Sequence, residues 1–315
     1  MRIILAGGTG QVGTLLARSF QADGHDVVVL SRQPHSAPWR VVSWDARTIG
    51  PWTSELERAD VVINLAGRNV NCRYTDENRR AIMESRVDSA HVIGRALREC
   101  ARPPKLWLQA STATIYAHRF DAPNDEASGI IGGNEPDAPA SWRFSIQVAT
   151  AWERAAEETV PAGTRLVLLR AAMVMSPDRG GIFAMLLRLA RLGLGGSVAG
   201  GRQYVSWIHD RDFVRAIYWL IEHQELSGAV NIAAPNPLPY RAFMKALRRA
   251  AHMPIGLPAT RWMLALGTWA LRTESELVLK SRRVVPGRLF NDGFTFDYPE
   301  WAAAAGELVE RARTT

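Results

Sequence analysis

Residues 2–13 read Arg2-Ile3-Ile4-Leu5-Ala6-Gly7-Gly8-Thr9-Gly10-Gln11-Val12-Gly13, and this stretch decides the fold. The first five residues form a short run of mostly apolar side chains, the length of a buried strand. Glycines at 7, 10 and 13 follow at once, and Val12, Leu15, Leu16 and Phe20 then recur at spacings that put them on one helix face. A strand, a glycine-rich turn and an amphipathic helix in that order make a phosphate-binding βα unit. Gly7 allows a tight turn, Gly10 lets backbone N–H groups approach a pyrophosphate, and Gly13 lets the helix pack close to the strand. Thr9, Gln11 and Val12 complete the turn at the helix N-terminus, where unpaired N–H groups and the helix dipole favour negative charge.

Working outward, further β-branched runs cover Asp26 to Leu30, Arg40 to Ser43, Asp60 to Leu65, Lys105 to Ala110, Arg165 to Leu169 and Ala229 to Ile232. Longer segments of helical period separate many of them; Val87, Ala90, Ile93, Gly94 and Leu97 mark one such face. The alternation predicts an α/β fold, a Rossmann-type doubly wound parallel sheet with a smaller, mainly helical C-terminal subdomain. The second strand ends Leu30-Ser31-Arg32, where an acidic residue would bind the ribose 2′-OH of NAD(H) but an arginine accommodates the 2′-phosphate of NADP(H). NADP(H) is therefore the expected cofactor, with Ser31 and Arg32 beside the 2′-phosphate and Asp45 at the adenine edge. In the turn Asn64-Leu65-Ala66-Gly67, the small residues would let the backbone of Leu65, Ala66 and Gly67 lie against the cofactor ribose.

Residues 1–233 are expected to form the dinucleotide-binding domain and residues 234–315 a helical substrate or lid subdomain, joined by part of 173–201. The division follows prolines 235, 237, 239, 254 and 258, after which the βα rhythm stops. The segment Trp262 to Leu271 is apolar but short, which predicts a packed helix. Phe120 to Ser141 is rich in Gly, Pro, Asp and Asn and predicts a long functional loop. The formal charge of +7 comes mostly from scattered arginines, with lysine only at 105, 245 and 280, so no basic stripe suggests nucleic acid. Cys72 and Cys100 fit neither a disulfide framework nor a zinc site, and no metal site is expected. A cytoplasmic protein is expected, a monomer or homodimer, since no apolar run of about 20 residues and no secretory leader pattern is present.

The glycine spacing, Asn64-Leu65-Ala66-Gly67 and Ser111-Thr112-Ala113-Thr114-Ile115-Tyr116 together resemble the extended, sugar-epimerase-like branch of the short-chain dehydrogenase/reductases. Gly200-Gly201-Arg202-Gln203-Tyr204-Val205-Ser206-Trp207-Ile208-His209, Ser281-Arg282-Arg283-Val284-Val285-Pro286-Gly287-Arg288-Leu289 and Gly293-Phe294-Thr295-Phe296 narrow the resemblance. They are similar to atypical epimerase family proteins with a C-terminal domain of unknown function. The resemblance implies the fold and a nicotinamide cofactor, and it leaves the substrate open. It implies that Thr112 orients a substrate carbonyl. It also implies a Tyr-x-x-x-Lys pair, in which the lysine lowers the tyrosine pKa. Ser145 and Ala149 occupy those two positions, and no Tyr-x-x-x-Lys occurs in the chain. Val205 stands where nucleotide-sugar enzymes carry a diphosphate-binding arginine, which argues against that substrate class.

Tyr116 and His118 are the candidate replacements for the missing proton donor, each set against a structural role as a wall tyrosine or a solvated loop histidine. Arg119, Arg143 and Arg202 are candidates for an anionic substrate, Asp212 is the expected N-cap of a helix from Phe213 to Ile221, and His209, just before it, is expected to be structural. Two functions fit these residues: an NADP(H)-dependent oxidoreductase or epimerase-like enzyme acting on a small-molecule carbonyl or hydroxyl compound, or an NADP(H)-sensing module that acts through a protein partner.

Overall fold

The computed structural model describes residues 1–135, 138–178, 180–258 and 279–314. Strands β1 (Arg2–Ala6), β2 (Asp26–Ser31), β3 (Arg40–Ser43), β4 (Val61–Asn64), β5 (Leu106–Thr112), β6 (Arg165–Ala171) and β7 (Gly228–Ile232) form one seven-stranded sheet in the order β7-β6-β5-β4-β1-β2-β3. All its pairings are parallel, with Ile4 between Val28 and Val62 in register. Parallel strands need crossover connections, and helices supply them on both faces.

Alternation along each strand sorts the core. Ile3, Leu5, Val27, Val29, Val61 and Ile63 face helices α1 (Gln11–Ala22) and α5 (Asp210–Glu222), meeting Leu16, Phe20, Phe213 and Ile217. Ile4, Ala6, Val28, Leu30 and Val62 face helices α2 (Asp76–Glu99) and α3 (Ala140–Glu157), meeting Ala90, Ile93, Leu97 and Trp152. Thr75 caps α2 by accepting the Asn78 N–H at 3.3 Å, and Asp76 and Glu77 oppose the dipole in its first turn.

A separate core gathers α4 (Ile182–Arg191), α6 (Tyr240–Ala250) and the C-terminal helix Trp301–Thr314 around Phe183, Leu187, Trp207, Phe243, Leu247 and Leu308. Trp301 stacks on Phe243 at 4.0 Å and donates its indole N–H to the Phe243 carbonyl at 2.9 Å. The expected helix from Trp262 to Leu271 lies outside the described residues.

The start of α5 corrects one expectation. The helix begins at Asp210, and His209 is its cap, accepting the Arg211 N–H on Nδ1 at 3.1 Å. Asp212 sits in the first turn, where its carboxylate accepts the backbone N–H groups of Asp297 at 2.8 Å and Tyr298 at 2.9 Å. The 120–141 region is mostly irregular and is tied by bridges from Tyr116 to Ile131 and from Asn124 to Val284. Among the described residues no helix is long and apolar enough to cross a membrane, and no cluster of side chains could hold a metal ion.

Candidate functional site

The carboxyl ends of β1 and β4 lie side by side, and the glycines between β1 and α1 let two turns touch. Gly7 has φ of +71°, and a Cβ there would stand 2.6 Å from Ala66 Cα, so only glycine fits both the conformation and the space. A Cβ on Gly13 would lie 2.5 Å from the backbone of Gly8, which is how closely the helix packs on the turn. Gly10 differs: its backbone is extended (φ −77°, ψ 174°), and an added Cβ would meet nothing within 4 Å. It opens onto the N-terminus of α1, which has no side-chain cap and no acidic residue in its first turn. The Nε2 donor of Gln11, next to Gly10, is buried with no hydrogen-bond partner. Open space, uncapped N–H groups, an unopposed dipole and an orphaned donor fit a pyrophosphate. Thr9 is exposed on the turn, while Val12 packs into the core.

At the ends of β2 and β3, Arg32, Ser43, Trp44, Asp45, Thr48, Gly50, Pro51 and Trp52 line a cleft of about 430 Å³. Arg32 and Asp45, expected from sequence at the 2′-phosphate and the adenine edge, thus line the same cleft. Asp45 accepts the Thr48 hydroxyl at 2.5 Å and the N–H groups of Thr48 and Arg47 at 2.9 and 2.8 Å. These bonds, the hydroxyl first, hold its carboxyl below the usual carboxylate range. The buried Ser31 hydroxyl turns back on its own loop, accepting the Gln33 N–H at 3.1 Å.

Asn64 fixes the next turn. Its Oδ1 accepts the Ala66 N–H at 3.0 Å, while Nδ2 donates to Gln109 Oε1 at 2.9 Å and Ser89 Oγ at 3.2 Å. Leu65 donates its N–H to the Ala6 carbonyl at 2.8 Å. Gly67 lies against the Arg86 guanidinium, 3.1 Å from the position of an added Cβ, and Arg86 also rests over the Trp152 ring at 5.1 Å.

Thr112 ends β5, half-buried, and caps the short 3-10 turn Ala113–Ile115 by accepting the Thr114 N–H at 3.1 Å. Its own O–H remains a donor. Tyr116 is elsewhere: only 2 % exposed, it donates to Asn231 Oδ1 at 2.9 Å and accepts from Arg170 Nη1 at 3.0 Å. Burial outweighs those bonds and pushes its hydroxyl above the ordinary tyrosine value. The Tyr116 hydroxyl is thus engaged both as donor and as acceptor within the protein.

Sequence reasoning missed the network around Tyr116. Arg170 meets Glu153 in a two-pronged pair at 2.9 and 2.8 Å, and Ser111 Oγ donates to the same carboxylate at 2.5 Å. The available signal was a glutamate on the otherwise apolar face of α3. Sequence reasoning also missed a strap from the C-terminal segment that crosses the end of β5. Lys280, 1 % exposed, donates Nζ to the Thr114 carbonyl at 2.7 Å, Arg282 Nε donates to Thr114 Oγ1 at 3.0 Å, and the Ser281 N–H donates to His118 Nδ1 at 2.7 Å. Val284 joins Ala113, Ile115, Tyr116 and Ala149 in one apolar cluster. The position matching the family lysine is therefore packed in grease.

Of the other candidates, Arg119 pairs with Asp121 at 2.6 Å, Arg143 donates to the Ala138 carbonyl at 2.6 Å, and Arg202 lies over the Phe120 ring at 5.9 Å. Val205 is buried.

The strand order and the glycine-shaped turn define a Rossmann-type protein of the short-chain dehydrogenase/reductase class. Residues 3–233 match the model of the NAD dependent epimerase/dehydratase family, and residues 259–308 match a domain of unknown function, DUF1731. The chain belongs to the NAD dependent epimerase/dehydratase family. It is 31% identical to the epimerase family protein YfhF of Bacillus subtilis over 100% of both chains. It is 33% identical to the mouse epimerase family protein SDR39U1 over 98% of this chain and 100% of that one. The crystal structure of human SDR39U1 with NADPH superposes with a TM-score of 0.84 at 28% identity, covering 98% of this chain and 99% of that chain. A UDP-N-acetylglucosamine 4-epimerase of Bacillus cereus shares the fold, with a TM-score of 0.75 at 17% identity over 99% of both chains.

Proposed function

We propose that the protein binds NADP(H) and acts as an oxidoreductase or epimerase-like enzyme on a small carbonyl or hydroxyl compound. The observation that carries this reading is the pairing of the Gly10 opening with the Arg32 cleft at the ends of adjacent strands. Gly7, Thr9, Gly10, Gln11, Val12 and Gly13 would hold the pyrophosphate, with Arg32 and Ser31 at the 2′-phosphate, Asp45 at the adenine and Leu65, Ala66 and Gly67 at the ribose. The human relative solved with NADPH supports the choice of cofactor. When bound, the nicotinamide supplies or accepts hydride. This chain's own contribution is alignment and a polarised oxygen. The two free thiols, Cys72 and Cys100, suit a reducing compartment such as the cytoplasm. Residues 1–233 carry the cofactor in this reading and 234–315, with part of 173–201, face the substrate.

Two measurements test it. Titration of intrinsic fluorescence should show NADPH binding more tightly than NADH, and Arg32→Ala should weaken NADPH about tenfold while sparing NADH, the scale of one charge-assisted contact. Equal affinities in the wild type would remove the role of Arg32. Thr112→Val keeps the shape but loses the hydroxyl donor, so turnover should fall roughly tenfold to a hundredfold, about 1 to 3 kcal/mol in barrier, at unchanged NADPH affinity. Full turnover in that variant would place the substrate oxygen elsewhere.

A further inference from the structure

Trp142 and Ser145 are three residues apart on α3 and so lie on one helix face. The His118 ring packs against Trp142 with centroids 4.7 Å apart and meets Phe120 edge-on at 5.0 Å. His118 therefore packs against the residue about one helical turn before Ser145, the position at which the family resemblance expects its hydroxyl acid. The ring is also fixed in rotation and in tautomer. Its Nδ1 accepts the Ser281 N–H at 2.7 Å, and a nitrogen that accepts carries no proton, so the proton of the neutral ring sits on Nε2. The His118 backbone is held as well, its N–H donating to Glu135 Oε1 at 2.9 Å.

We propose that His118 is a further catalytic residue, whose Nε2–H donates a hydrogen bond to the same substrate oxygen that Thr112 holds, and that the strap Lys280–Arg282 fixes the ring for that role. This rests on the oxidoreductase reading. A neutral imidazole polarises a carbonyl by donation alone, without giving up its proton. The groups facing the ring keep it neutral: burial lowers its pKa first, Lys280 lowers it further, Glu135 opposes, and Arg282 adds to the lowering. A depressed histidine pKa makes the Ser281 contact fully present above the ordinary histidine range and lost as pH falls through the depressed value, where Nδ1 gains a proton and can no longer accept.

The test combines spectroscopy and turnover on the full-length protein. In ¹⁵N-histidine NMR, with His118→Gln to assign the signal, His118 should show the Nε2–H tautomer at pH 7.5 and titrate below the ordinary histidine range. Lys280→Met should raise that midpoint. For turnover, NADPH oxidation is followed with a panel of aldehydes, 2-oxo acids and phenanthrenequinone. His118→Phe should slow it at least tenfold with NADPH affinity unchanged, and His118→Gln, which keeps an N–H donor, should recover part of the loss. An Nδ1–H tautomer overturns the inference whatever the turnover, and full turnover in His118→Phe overturns the role of His118 alone. A wild type that binds NADPH yet oxidises it with no compound of the panel sinks the oxidoreductase reading, and the role of His118 with it.

Discussion

Gly10→Val is expected to weaken NADPH binding more than a hundredfold while leaving the melting temperature within about 2 °C of the wild type. The two halves of that expectation come from the same geometry. At φ −77° and ψ 174° the backbone of Gly10 is one that valine adopts freely, and an added Cβ meets no protein atom within 4 Å. Nothing in the fold resists the new side chain, so the cost should stay within about 0.5 kcal/mol, as at other unencumbered surface positions. The space it fills is the approach to the uncapped N-terminus of α1, where a pyrophosphate would need the first-turn N–H groups within hydrogen-bond distance. Gly13→Val is the contrasting control. Its Cβ would start 2.5 Å from the Gly8 backbone, which must move, and overpacking of that kind costs about 1 to 3 kcal/mol. Differential scanning calorimetry and an NADPH titration on both variants separate the cases. A Gly10→Val protein that binds NADPH normally would take the turn out of the cofactor site, and one that melts early would show that Gly10 matters to the fold.

The parts of the molecule legible in the sequence are those specified by neighbours in the chain. Each of the seven runs of branched residues became a strand of the main sheet: the inner strands are buried on both faces and need mostly apolar side chains, while the edge strand β3 is only half-buried. The three glycines could be given separate duties because each duty is local to one turn. Boundaries failed where polar residues continue a strand: β5 runs on through Ser111 and Thr112, held by pairing with Arg170 and Ala171. The start of α5 was misjudged because histidine is an uncommon cap, while Asp212, a common one, is claimed by N–H groups 85 and 86 residues away.

The candidate catalytic end was the least legible for the same reason. Tyr116 looks available in sequence, but the residues that engage it, Arg170 and Asn231, are 54 and 115 positions distant. Lys280 stands 166 residues from the carbonyl it meets. No periodicity or spacing encodes such partners. The Tyr-x-x-x-Lys motif is readable because both members sit on one helix; groups drawn from a loop and a distant strap leave no such trace.

Glu153→Ala should cost about 3 to 5 kcal/mol of folding stability, the usual result of breaking a buried ion pair from one side. The Glu153 and Arg170 side chains are 8% and 13% exposed, so little solvent reaches either. Loss of the carboxylate strands the guanidinium, and arginine, unlike lysine or histidine, has no accessible neutral form; burial by itself lowers its pKa, and it is chiefly the Glu153 carboxylate, with Tyr116, that holds it above the ordinary value in the wild type. Ser111 loses its acceptor at the same time, one residue before Thr112. Removing both charges is a different matter, since well-packed apolar residues often replace a buried pair at little or no cost. Glu153→Leu combined with Arg170→Met should therefore recover more than half of the loss, even though Tyr116 gives up the Arg170 donor and keeps only Asn231. Urea unfolding of the single and double variants, read as midpoint at constant slope, measures both quantities. A single variant within about 1 kcal/mol of the wild type would mean that water reaches the stranded guanidinium. A double variant as unstable as the single would mean that the hydrogen bonds to Ser111 and Tyr116, rather than the stranded charge, carry the stability.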